Sequence, residues 1–145
     1  MKKALLFFIA AFAWVAAPAS DNTLRLDYIF TGGCSSVNIA LSRMSVTEGW
    51  YGRTVNMDKV PVAGNGDIRV VGESDGKVLY ANSFSTLFQE WLTTDESKKM
   101  VKAFENTFLV PMPDAPVSIT VRLFDSHGNL SCEYTHSVNP ADIFI

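Results

Sequence analysis

The chain has 145 residues, with 12 lysines and arginines against 15 aspartates and glutamates. That length suits one domain. Beyond the first three residues no basic run exceeds Lys98-Lys99, which argues against a nucleic-acid partner, since neutralising phosphates needs a basic face.

Met1-Lys2-Lys3 is basic, Ala4 to Val15 is uncharged and apolar, and Ala17-Pro18-Ala19 is a small-residue cleavage signature. The pattern predicts a secretory signal peptide over residues 1–19, a single β-sandwich domain over residues 20–145, and a secreted or periplasmic location. The apolar run falls short of the roughly 20 residues that a spanning helix needs, so no transmembrane segment is expected after cleavage. No cysteine follows the run to carry a lipid. Cleavage leaves ten basic residues against fifteen acidic, a net charge of −5. The remaining length buries roughly two-thirds of its unfolded surface, enough for one core.

Thr23 to Phe30 alternates strictly, with Leu24, Leu26, Tyr28 and Phe30 on one face, as a half-buried strand requires. Thr31-Gly32-Gly33 ends it. Val37, Ile39 and Leu41 mark a second strand, read as continuing irregularly towards Met57. Pro61 to Gly66 reads as a loop, with Asn65-Gly66 a strong turn signal. Ile68 to Val71 and Lys77 to Tyr80 flank Ser74-Asp75-Gly76, a hairpin pattern.

Ser85 or Thr86 can cap a short helix whose stripe is Leu87, Phe88, Trp91 and Leu92. Thr93-Thr94-Asp95-Glu96 fits a capping box and predicts a second helix from about Thr94 to Phe104. Phe104 to Val110 then takes strand character, and Pro111 and Pro113 bar a central strand there. Val117 to Leu123 and Leu130 to Tyr134 alternate about Asp125 to Asn129, the clearest hairpin in the chain. The whole reads as mainly β: an antiparallel sandwich, immunoglobulin-like or jelly-roll-like, with one or two short helices around residues 85–103.

Chemistry is sparse. Cys34 and Cys132 lie far apart; export permits a disulfide, worth about 4 kcal/mol by loop closure, or they remain two separate thiols. His127 and His136 stand outside His-Glu-x-x-His, the spacing that puts two metal ligands on one helical face; both are expected to be exposed or locally hydrogen-bonded. No Gly-x-Ser-x-Gly occurs. Asp58, Asp67, Asp75 and Asp125 fall in or near predicted loops, where solvated turn acids are a simpler reading than Ca²⁺ ligands. Trp50, Tyr51 and Trp91 could stack a glycan, or could be core. No catalytic residue, metal site or cofactor is expected in this chain.

Several strings point further: Thr23 to Gly32, Gly49-Trp50-Tyr51-Gly52-Arg53, Gly64-Asn65-Gly66, Ser83 to Thr94, and Phe104 to Pro111. In this order they resemble the N-terminal domain of the IgA-peptidase family of bacterial zinc metalloendopeptidases, over nearly the whole mature chain. Cys34-Ser35-Ser36 departs from the pattern. The resemblance implies a secreted β-sandwich that precedes a zinc peptidase domain. The family's His-Glu-x-x-His belongs to that second domain, so none of its catalytic or metal residues carries over here. The apolar end, Asp142-Ile143-Phe144-Ile145, is read as a linker or last strand. The implied function is a non-catalytic accessory domain that docks against a metallopeptidase catalytic domain, in cis or trans, or positions its substrate. The alternative is a free-standing module that binds a glycan, a glycoprotein or another protein.

Overall fold

Strand β1 (Thr23–Gly33) turns Leu24, Leu26, Tyr28 and Phe30 inward, each with no exposed surface. In the computed structural model, which describes residues 21–142 and 145, it lies between β2 (Ser36–Thr47) and β5 (Lys102–Pro111), antiparallel to both. The expected signal peptide, and Ile143 and Phe144 of the apolar end, lie outside the described residues. A second antiparallel sheet has the order β4-β3-β6-β7, from β3 (Gly66–Gly72), β4 (Val78–Phe84), β6 (Val117–Phe124) and β7 (Leu130–Val138). The sandwich is thus mainly β, as expected. Its four-stranded sheet has the order of an immunoglobulin-like C′CFG sheet. The three-stranded sheet departs from that fold by placing β1, not β2, in the middle.

The inner faces follow the period of two. Ile68 and Val70 from β3 and Val117, Ile119, Val121 and Leu123 from β6 meet the β1 row, and Phe84, Phe104 and Phe108 fill in around them. Asp125 organises the β6–β7 turn by accepting from the His127 and Asn129 amides, both at 2.8 Å. At Gly32, φ is +148° and a side chain would run into the Ser36 carbonyl, so the β1–β2 hairpin needs glycine there.

The edge of β4 is closed by the 48–65 loop. The Ala81 amide donates to the Met57 carbonyl at 2.7 Å, and Arg53 donates to the Ala81 carbonyl at 2.5 Å. Covering an edge in this way blocks unwanted strand pairing. Pro111 sits at the end of β5, an outer strand, where no ladder bond is lost.

The helical segment differs from expectation. Helix α1 (Leu87–Leu92) forms with Thr86 as N-cap, its hydroxyl accepting from the Gln89 amide at 3.4 Å. Phe88 and Trp91 are buried, but Leu87 is 72% exposed and Gln89 is buried in its place. The second helix reduces to a 3-10 turn at Glu96–Lys98. Thr93 closes α1 instead of opening a new helix, donating from its hydroxyl to the Glu90 carbonyl at 2.7 Å. Glu96, the expected partner in a capping box, accepts from Trp91 Nε1 at 2.7 Å and from Lys102 at 2.6 Å. Neighbouring groups take both side chains from the motif, and β5 starts at Lys102. Among the described residues no helix is long and apolar enough to cross a membrane.

Candidate functional site

The three aromatic rings suspected of stacking a ligand sit on two separate elements. Trp50 lies on the 48–65 loop, edge-on to Tyr80 of β4 at 5.6 Å, and its indole N–H donates to the Arg53 carbonyl at 3.0 Å. Tyr51 beside it is 93% exposed. Trp91 belongs to α1 and packs on Phe88 and Phe104 at 6.1 and 5.7 Å. Lys102 lies over its ring at 5.5 Å. Trp50 and Trp91 are therefore committed to packing, and Tyr51 alone faces water.

Cys34 is an exposed thiol in the β1–β2 turn, and its amide donates to the Ser97 carbonyl at 3.1 Å. Cys132 is a half-buried thiol in β7, where burial pushes its pKa up. Both are free in the structure. His127 is exposed in the β6–β7 turn. Among the described residues no group of three or more His, Cys, Asp and Glu side chains is placed to hold a metal ion.

The polar clusters that do form lay hidden in the sequence. Asp67, expected as a loop acid, is instead a buried residue of β3 at 6% exposure. Arg122 of the adjacent β6 grips it with two bonds, at 2.7 and 2.5 Å, and Arg69 adds a third at 3.4 Å. That bidentate grip is the strong geometry for a guanidinium on a carboxylate, and its hydrogen bonds raise the pKa of Arg122. On the outside of the other sheet, Asp27 collects Arg25, Arg43 and the Thr107 hydroxyl. The Thr107 hydrogen bond, with those of the two arginines, lowers its pKa to about 2.

A third cluster bridges the sheets. The Tyr28 hydroxyl is 2.7 Å from His136 Nε2. The Ser137 carbonyl, 3.4 Å from Nδ1, can only accept. The proton therefore sits on Nδ1, and Tyr28 donates to Nε2. Tyr134 packs on both rings at 6.2 and 5.6 Å. Burial pushes the Tyr28 pKa well up and that of His136 below 6.5. Continuing the alternation Leu130, Cys132, Tyr134 by two residues would have put His136 on the inner face; only the stacking of the sheets supplies Tyr28.

These shifts predict two steps in stability against pH. The unfolded chain takes a proton on His136 near pH 6.5 while the folded imidazole resists it, so stability falls as pH drops below 6.5 and levels off once the folded group also protonates. Asp27 works from the other side: its contribution is full above about pH 4 and is lost as pH falls towards 2. Urea midpoints recorded from pH 8 to 2 will show both steps, and His136→Gln will remove the upper one. An unchanged upper step would assign it to another group.

One cavity, of about 630 Å³, opens beside α1 between the ends of the two sheets, with Val37, Leu92, Leu123 and Phe124 in its wall. Polar groups around it are engaged with backbone: Gln89 donates to the Phe124 carbonyl at 3.3 Å and the Ser131 hydroxyl to the Leu123 carbonyl at 3.0 Å. They hold the end of the sandwich together and leave the cavity mainly apolar.

Fold and site together define a β-sandwich domain whose polar clusters tie strands and sheets to one another. The chain belongs to the peptidase M64 N-terminus family, whose model matches residues 16–135; this is an N-terminal domain of the IgA-peptidase family. The resemblance read from its sequence strings is thereby borne out. A search of curated proteins returned no match.

Proposed function

We propose that this is an exported, non-catalytic accessory domain of a zinc peptidase, docking against the peptidase domain or positioning polypeptide substrate for it. The observation that carries the proposal is the family match, which names an N-terminal peptidase segment and covers most of the chain. The basic-then-apolar N-terminus motivates export. The side-chain geometry is in keeping: buried carboxylate, histidine and tyrosine are each bonded within the fold. A free-standing glycan-binding role is less favoured, because Trp50 and Trp91 are engaged in packing.

The test pairs the purified chain with a peptidase domain of the same family. Binding by calorimetry, or a changed KM for a protein substrate, is the expected result. Zinc-dependent cleavage by the chain alone would overturn the non-catalytic assignment. Absence of both binding and any effect on cleavage would overturn the accessory role.

A further inference from the structure

The cavity beside α1, at about 630 Å³, lies within the size range of small-ligand pockets. Its walls come from separate elements: Val37 from β2, Leu92 from α1, and Leu123 and Phe124 from β6. Val37, Leu92 and Phe124 are only half-buried, so apolar surface in the hollow is left to water. The walls are tied in place. The Cys34 amide donates to the Ser97 carbonyl at 3.1 Å, Gln89 Nε2 donates to the Asn65 and Phe124 carbonyls, and the Arg122 guanidinium lies over the Phe124 ring at 5.4 Å.

Chemistry narrows the occupant. The polar side chains around the hollow are bonded within the fold: Gln89 as above, Thr93 to the Glu90 carbonyl and Ser131 to the Leu123 carbonyl. Among the described residues Asp125 is the one charged side chain in the lining. An anion is therefore disfavoured there, and a neutral apolar group gains by covering the walls.

A second depression adjoins the first. It has about 490 Å³, shares Asn65, Phe124, Asp125 and Ser126 as a common wall, and adds Asp67 and Arg69 to its lining. Two hollows beside one ridge suit a ligand that is extended and carries side chains at intervals. An extended polypeptide does so, its same-face side chains standing roughly 7 Å apart. A compact small molecule would fill one hollow and leave the other wet.

We propose that the cavity beside α1 takes up an apolar side chain, aromatic or branched aliphatic, from an extended polypeptide laid over the Phe124–Ser126 ridge. The inference rests on the accessory role above, in its substrate-positioning form, and names the class of residue that the domain selects.

Alkylation of the mature chain by iodoacetamide tests this, because Cys34 is exposed and lines the cavity. The probes are capped pentapeptides of threonine and serine with phenylalanine or glutamine at the centre. Mass spectrometry follows Cys34, with Cys132 as the internal control. The phenylalanine peptide should slow the reaction at Cys34 and leave that at Cys132 unchanged. It should bind about tenfold tighter than the glutamine peptide, as covering one phenyl ring implies. Val37→Thr, nearly isosteric and suited to a strand, should weaken binding of the phenylalanine peptide, and Leu92→Gln should do the same from α1. Equal protection by both peptides, protection by neither, or protection indifferent to both substitutions would overturn the proposal. So would N-acetylphenylalanine amide binding as tightly as the pentapeptide, which would make the hollow a small-molecule site. Protection that rises with protein concentration and without peptide would give the cavity to a second copy, and would overturn it too. Binding to a peptidase domain together with an unresponsive cavity would sink this inference and leave the accessory role standing.

Discussion

Phe30→Ala is expected to cost the domain about 4 kcal/mol, in the range measured for truncating a buried phenylalanine. Phe30 has no exposed surface, and its ring meets Phe84, Phe88 and Phe108 at 6.1 to 6.2 Å. Those neighbours come from β4, α1 and β5, so one side chain joins both sheets and the helix. Three flanking rings held by separate elements cannot all move into the space, and the cavity term adds to the lost transfer energy. Set against a typical total of 5–15 kcal/mol, the loss is a large share of stability. Urea unfolding with an unchanged slope measures it. Leu87→Ala is the control: Leu87 belongs to the same apolar stripe in the sequence, yet at 72% exposure its removal should stay within about 0.5 kcal/mol. Equal losses at the two positions would mean that the ring cluster is not the centre of the core.

Arg122→Ala should cost about 3 kcal/mol, for a different reason. The carboxylate of Asp67 is 8% exposed, and Arg122 supplies its two shortest bonds. Removing the guanidinium strands a buried charge with only the 3.4 Å contact to Arg69. The penalty is the desolvation of that charge more than the worth of the bridge. Replacing both members, Asp67→Leu with Arg122→Met, should therefore recover most of the loss, as exchanging a buried pair for apolar groups often does. A double variant as unstable as Arg122→Ala would show that the pair holds the β3–β6 ladder by more than charge compensation.

Much of this architecture can be read along the chain. Strict alternation placed Leu24 to Phe30, Val117 to Leu123 and Leu130 to Tyr134 in strands, and all three became strands with the expected faces inward except at Leu130, which a bulge beside Phe124 leaves 54% exposed. Asp75-Gly76 and Asp125 to Asn129 marked their turns because their chemistry is local. The capping box failed because nearby groups outside the motif competed for both of its side chains. Thr93 found the Glu90 carbonyl at the end of α1, and Glu96 found Trp91 and Lys102 on either side of the turn; the motif spacing does not rank these partners. Asp67 misled for a long-range reason: it follows a loop signal, yet strand register delivers Arg122 from 55 residues away.

The aromatic-rich stretch from Ser83 to Pro113 shows the division most plainly. Its apolar stripe was enough to announce a short helix and, through its wording, a family. Its period could not say that Phe88 and Trp91 face Phe104 while Leu87 faces water, because that depends on how α1 docks across two sheets. Side-chain periodicity is set by bond geometry within a few residues, so strands, turns and inward faces are written in the order of amino acids. Which acid is buried and which histidine meets a tyrosine depend on register and sheet stacking. Those are decided by contacts between residues tens of positions apart, and only the folded chain brings them together.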